Sequence, residues 1–359
     1  MMITAVLTFI VVLGALIFVH EFGHFFLAKK AGIKVEEFGF GYPPRIFGIK
    51  VGETIYSINA LPFGGFVRIY GQDQEVEEDV GRSFYGQNKW VRSFVLIGGI
   101  VMNLITGCIL FTIVYGKSGV PVETNNLRVV GITQNSPAAE AGIEPGDQVL
   151  EIRDGQEKTK INSTDTFIKT IDENKGEKIT LKIKRGEETF YIETSLRTDE
   201  QIPENDGSLG VMISTIEMKH YVWWKMPFLA MKAGVSESFA WVVRVFQGLG
   251  ITFKQLFAGE SPQVTGPVGM YKFTKQAAEQ GLLTVLRFTG ILSINLAVLN
   301  LLPIPALDGG RLFFVGVEAV IGKKKSRKIE QHANAVGMIL LLALMILITI
   351  NDIIGLGGK

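Results

Sequence analysis

The sequence predicts an α-helical polytopic membrane protein with four transmembrane helices, a membrane-associated β-meander and an inserted α+β domain. Three observations lead there. Of 359 residues, 47% are hydrophobic, and they collect in runs long enough to cross a hydrocarbon core. Basic residues crowd into two of the connections between those runs and are sparse beyond the chain's outer ends. The connection between the second and third runs alternates short apolar stretches with turn residues, over a length that suits a folded domain. A net charge of +1 gives no global attraction to nucleic acid, and none is expected as a partner. The one cysteine, Cys108, lies in an apolar run. It permits neither an intramolecular disulfide nor a cysteine zinc site.

The first span takes residues 1–30 and is apolar from Ile3 to Ala28, with ionisable groups only in its last third. It lacks a basic leader and a small-x-small cleavage site, and Lys29 and Lys30 follow it. It therefore reads as a retained helix rather than a signal peptide. Residues 31–92 hold four short, partly apolar strands, 35–40, 45–50, 54–59 and 65–70, separated by Gly41-Tyr42-Pro43-Pro44, Gly52-Glu53 and Leu61-Pro62-Phe63-Gly64. That pattern predicts a β-meander. It is too small for its own core, so it is expected to lean on the membrane helices or dip between them, with a solvent-facing meander as the alternative. An edge strand there could pair with an extended substrate.

The second span, residues 93–116, is uncharged from Ser93 to Tyr115. Residues 117–200 form the inserted domain. Within it Ser136-Pro137-Ala138-Ala139-Glu140-Ala141-Gly142 is a short helix with a Ser N-cap, Pro in the first turn and a Gly stop. Strands are expected at 127–130, 148–153, 179–184 and 189–194, and a helix at 164–172. In residues 201–283, the stretch 228–257 is apolar, and Lys232, Glu237, Arg244 and Lys254 fall within an arc of about 140°. This predicts an amphipathic helix or helix pair on the outer membrane face, with Tyr221, Trp223 and Trp224 as interfacial anchors and a fifth span as the alternative. The third span is residues 284–322. Residues 323–332 are a basic cytoplasmic loop, and the fourth span is residues 333–359.

Nine basic residues lie from Lys29 to Arg92, and Lys323-Lys324-Lys325-Ser326-Arg327-Lys328 lies between spans three and four. Basic connections stay in the cytoplasm. Both termini and the inserted domain are then extracytoplasmic.

The chemistry centres on His20-Glu21-Phe22-Gly23-His24. Two histidines four apart lie about 40° apart around a helix, so both can ligate one metal. HExxH on a helix is the zinc metalloprotease signature, with the Glu as general base toward water. A catalytic zinc site needs a third ligand. Asp308 offers it, in Asn300-Leu301-Leu302-Pro303-Ile304-Pro305-Ala306-Leu307-Asp308-Gly309-Gly310, where prolines and glycines would loosen the helix. Asp308 could instead pair with Arg311. Asn300 and Asn295 are candidates to hydrogen-bond the substrate backbone, or else helix–helix glue. Asn103, near Gly98, Gly99 and Gly107, leans toward glue.

The run Ser136 to Asp147 resembles a PDZ domain of the bacterial type, which implies a strand–helix groove for a peptide or chain end, or a steric gate. HEFGH, the meander ending in Leu61-Pro62-Phe63-Gly64-Gly65-Phe66-Val67, the motif Thr265-Gly266-Pro267-Val268-Gly269 and the stretch from Ser293 to Leu312 together resemble the site-2 protease family of intramembrane zinc metalloproteases. The likeness is strongest to the bacterial branch that cleaves anti-sigma factors, with room here for a single PDZ domain. It implies Zn2+ held by His20, His24 and Asp308, with Glu21 as the catalytic acid/base. It also implies substrate positioning by Asn300 and Asn295 near the cytoplasmic face of the bacterial inner membrane. Single-pass membrane proteins such as anti-sigma factors, or remnant signal peptides, would be the substrates. The competing readings are a non-catalytic PDZ scaffold in the membrane, against which Glu21 argues, and a zinc transporter. The latter usually needs ionisable residues along several spans.

Overall fold

The computed structural model describes residues 2–74, 76–155, 157–203, 206–260 and 266–357. Thr265 lies outside them. The chain divides into two compact units, residues 1–117 with 222–359, and residues 118–221.

The first unit holds the membrane helices. α1 (Met2–Lys30) and α2 (Lys89–Ser118) flank a β-hairpin of two long strands, β1 (Val35–Val51) and β2 (Thr54–Ile69). α5 (Met226–Phe257), α6 (Pro267–Gln280), α7 (Leu282–Leu301), α8 (Asp308–Ile321) and α9 (Lys323–Gly357) complete it. Four stretches are long and apolar enough to cross a membrane: Ala5–Lys30, Lys89–Ser118, Leu282–Leu301 and Lys323–Ile354. They fit an integral membrane protein.

The hairpin corrects the meander. β1 and β2 each bend, so the four expected strand segments are present, but not as neighbours in chain order. Residues 45–51 pair with 54–59, residues 37–40 lie beside both 55–58 and 65–68, and Val35 faces Ile69. Among the described residues the run 65–69 therefore has a strand neighbour on one side only. Aromatic packing sets this arrangement: Phe38 sits 4.7 Å from Phe25 and 5.0 Å from Phe18, both on α1, in ring-to-ring contact. Gly64 and Gly65 lie against Ile17 and Phe18, where added Cβ atoms would crowd the helix.

The third span is not one helix. α7 stops at Leu301 and α8 starts at Asp308. Pro303 and Pro305 cannot donate to the preceding turn, so the backbone leaves the helical path between them. The basic run after Gly322 is not a loop. Lys323 to Gln331 are the first turns of α9, as good helix formers allow. α5 is a single helix, not a pair. It buries Met226, Ala230, Gly234 and Ser238, a stripe spaced by four. Gly234 meets Thr112 of α2 where a Cβ would lie 2.6 Å from its Oγ1, the small-residue contact that membrane helices use.

The second unit is a sheet with two helices. Its strands are β3 (Val120–Ile132), β4 (Gln148–Asp154), β5 (Glu157–Lys160), β6 (Lys178–Arg185), β7 (Glu188–Ser195) and β8 (Val211–Lys219), in the order β7-β6-β4-β3-β8 with β5 beside β4. α3 (Pro137–Glu140) is capped by Ser136, and α4 (Thr164–Glu173) by Ser163. Leu127, Val129, Ile152, Phe167, Leu181 and Ile183 are among its buried core. The domain does not end near residue 200. β8 pairs with β3 from Val120–Lys219 to Ile132–Val211, so the unit closes only when the chain returns to its starting strand.

Candidate metal centre

α1 and α2 meet where neither carries a side chain. A Cβ on Gly23 would overlap the Gly98 carbonyl, and one on Gly98 would come within 2.7 Å of the Gly23 oxygen. Glycines at a crossing let two backbones touch. One residue on, a Cβ on Gly99 would fall 2.5 Å from His24 Nε2 and 2.8 Å from His20 Nε2. Gly99 thus leaves the hollow in which the two imidazoles turn toward each other.

Both histidines are buried, and their Nε2 atoms are 3.2 Å apart. Asp308 Oδ2 lies 2.9 Å from His20 Nε2 and 3.1 Å from His24 Nε2. Zinc bound tetrahedrally at about 2.0–2.1 Å places neighbouring ligand atoms about 3.3 Å apart. The observed triangle is a few tenths of an ångström tighter and needs only a small spread. Two imidazoles and one carboxylate are a catalytic donor set that leaves a fourth position free. The outer nitrogen of His24, Nδ1, donates to the Val95 carbonyl at 2.8 Å, which leaves the Nε2 lone pair for a metal. On donor chemistry and geometry together, these residues fit zinc.

Asp308 reaches the histidines because the third span is broken. Residues 302–307 fold back over the start of α8. Cβ atoms on Gly309 and Gly310 would overlap the carbonyls of Leu301, Leu302 and Ile304. The two glycines therefore admit a close backbone rather than loosening the helix. Ala306 holds φ +74°, a left-handed conformation uncommon without glycine. Its N–H donates to Asn334 Oδ1 of α9 at 2.9 Å. Arg311 bonds Asp73 at 3.2 Å, so the local pairing with Asp308 is not made.

A cavity of about 210 Å³ opens beside the triangle, with Glu21, Asn103 and Asn300 in its wall next to His20 and Asp308. The Val67 backbone of β2 lies near the Glu21 carboxylate. Asn295 is not among the residues of the cavity wall, and its Nδ2 donates to the Ile291 carbonyl of its own helix at 2.8 Å. Sequence reasoning missed Val95, Asn334 and the Gly23–Gly98 crossing, and it gave Asn103 too little weight. Asn334, at the polar start of the fourth span, carried no signal in the sequence.

A model of peptidase family M50 matches residues 8–344. The regulator of sigma-W protease RasP of Bacillus subtilis is 29% identical over 434 aligned positions, covering 98% of this chain and 99% of its own. The zinc metalloprotease RasP of Geobacillus kaustophilus is 30% identical, covering 97% of each. A Clostridium perfringens protein with a provisional zinc metalloprotease name is 40% identical over 346 residues, 95% of this chain and 96% of that one. Among solved structures, the PDZ domain of an SdrC-like protein from Listeria monocytogenes is 23% identical, covering 26% of this chain and 90% of that chain, with a TM-score of 0.21. The family match takes in HEFGH, the broken third span and Asp308 alike, and on it the chain belongs to peptidase family M50, the site-2 proteases.

Proposed function

We propose that this M50 peptidase is an intramembrane zinc metalloendopeptidase that cuts single-pass membrane proteins at their transmembrane segments, as a step in regulated intramembrane proteolysis. The observation that carries the reading is the approach of His20, His24 and Asp308 to within 3.2 Å of one another, beside a cavity that also holds Glu21. These three side chains would hold the ion, and zinc bound there would supply Lewis acidity toward water and toward the scissile carbonyl. Glu21 takes the proton of the attacking water and returns it to the leaving amine. Asn300, in the cavity wall, hydrogen-bonds the substrate backbone as charge develops on the carbonyl oxygen.

A helical substrate hides its peptide bonds, so it must be drawn out before it can be cut. Among the described residues the run 65–69 has a strand neighbour on one side only, and the Val67 backbone lies near Glu21. Both support capture of unwound substrate along that edge by strand addition. The contact of Gly64 and Gly65 with Ile17 and Phe18 supports a hairpin at membrane depth, where irregular backbone survives only against protein or a hydrated cavity. The basic runs support an active site near the cytoplasmic face of a bacterial membrane, with both termini and the sheet unit outside. Anti-sigma factors are the proposed substrate class, since the Bacillus subtilis relative is by name a regulator of sigma-W. Remnant signal peptides are a second class. The sheet unit, read as a PDZ domain, receives a peptide or chain end.

The test is cleavage of a single-pass substrate in proteoliposomes. Glu21→Gln is expected to lose turnover by about 10²–10⁴-fold while keeping its zinc, the usual contribution of general acid–base transfer. Undiminished turnover in that variant would overturn the protease reading.

A further inference from the structure

Asn103 lies within the apolar length of α2 and is fully buried. An amide in a membrane helix is costly unless it is bonded. Its Nδ2 stands 3.3 Å from Nδ1 of His20, while its Oδ1 has no hydrogen-bond partner. The helix-to-helix tie at this position does not need the amide, because Ser293 Oγ on α7 donates to the Asn103 main-chain carbonyl at 2.7 Å.

The contact with His20 decides which ring nitrogen carries the hydrogen. If Nδ2 donates to Nδ1, the hydrogen of a neutral ring sits on Nε2, and Nε2 has no lone pair for a metal. A half-turn of the amide leaves its shape unchanged and exchanges oxygen for nitrogen. Oδ1 then accepts from His20 Nδ1–H, and Nε2 faces Asp308 and His24 as a ligand. Each orientation leaves one end of the amide unpaired, so the match at His20 selects between them. His24 follows the same rule with the Val95 carbonyl at 2.8 Å. Both outer nitrogens are thereby tied to α2, one by main chain and one by side chain.

We propose that Asn103 is a positioning residue of the metal centre, its amide oxygen accepting from Nδ1–H of His20 and fixing the tautomer in which His20 binds zinc. The proposal rests on the zinc reading of His20. Hydrogen-bond partners of a ligand's outer ring nitrogen are worth about 10–100-fold in metal affinity.

The experiment is zinc competition against a chromophoric chelator, on full-length protein in detergent, for the parent, Asn103→Asp and Asn103→Leu. Asp keeps the acceptor and loses the donor, and Leu loses both. Asn103→Asp is expected to hold zinc within about three-fold of the parent, and Asn103→Leu to bind about 10–100-fold more weakly. Thermal unfolding of the metal-free proteins reports helix packing separately. Parent-like affinity in folded Asn103→Leu would overturn the proposal. So would loss of affinity in folded Asn103→Asp, which stands as a test even if Asn103→Leu does not fold. A parent that binds no zinc would overturn the metal reading and this inference together, whereas zinc bound equally by all three overturns this inference alone.

Discussion

At Gly99 a single hydrogen stands where a methyl group would fall 2.5 Å from one ligand atom of the proposed site and 2.8 Å from another. Gly99→Ala is expected to push the imidazoles apart, at a cost of about 1–3 kcal/mol of overpacking. Zinc binding about 5–150-fold weaker should follow, since 1.4 kcal/mol is a factor of ten. Chelator competition reads this. Unchanged affinity would show that the two helices part without disturbing the ligands. The histidines and Glu21 were legible in the sequence because their spacing states their chemistry. Asp308 was legible as a carboxylate among helix breakers. The reason for its glycines was not, because it lies in carbonyls of Leu301, Leu302 and Ile304 that only the folded loop brings near. Asn103 stood out as an amide in an apolar helix and Asn334 did not, and their partners are 83 and 28 residues away. No local pattern reaches that far.

Elements show a similar division. Helices were readable from apolar length and strands from turn residues, but pairings were not. The four strand segments of residues 35–69 looked sequential, and aromatic contacts with α1 reorder them. In the sheet unit, the turn before β4 and the β6–β7 hairpin are joined by Arg185. It donates to Asp147 at 2.7 and 2.8 Å, and the Glu144 N–H adds a third hydrogen bond at 2.9 Å. Burial alone would raise the Asp147 carboxyl. The hydrogen bonds from Arg185 and Glu144 outweigh it and hold the group below the usual carboxylate range. A depressed folded value means that the stability from this pair is present above the unfolded value of about 3.9. It is lost as pH falls through the folded value. Hydrogen exchange in β6, corrected for intrinsic rates, should lose protection as pH drops below about 4 in the parent. Asp147→Asn should already be less protected at pH 7 and change less on acidification. Equal acid sensitivity in both would exclude Asp147 as the titrating group.

At the scale of the whole molecule, the metal triangle draws on α1 and on the start of α8, while α2 closes it from behind and α9 braces the loop before Asp308. Ligands 288 residues apart in sequence stand 2.9 Å apart. Such a site cannot exist in any one helix, so it reports assembly of the membrane unit. The sheet unit has its own core and its own closing strand pair, so its folding is separable from the chemistry. What the sequence withheld at this scale was the return of β8 to β3, because the two strands lie on either side of the domain they close.

The most direct test is the zinc content of purified full-length protein, compared among the parent, Asp308→Ala and Glu21→Gln. One zinc per chain is expected in the parent and in Glu21→Gln, and loss of most of it in folded Asp308→Ala, because two imidazoles alone make a weak site. Zinc retained in full by folded Asp308→Ala would contradict a centre built from His20, His24 and Asp308.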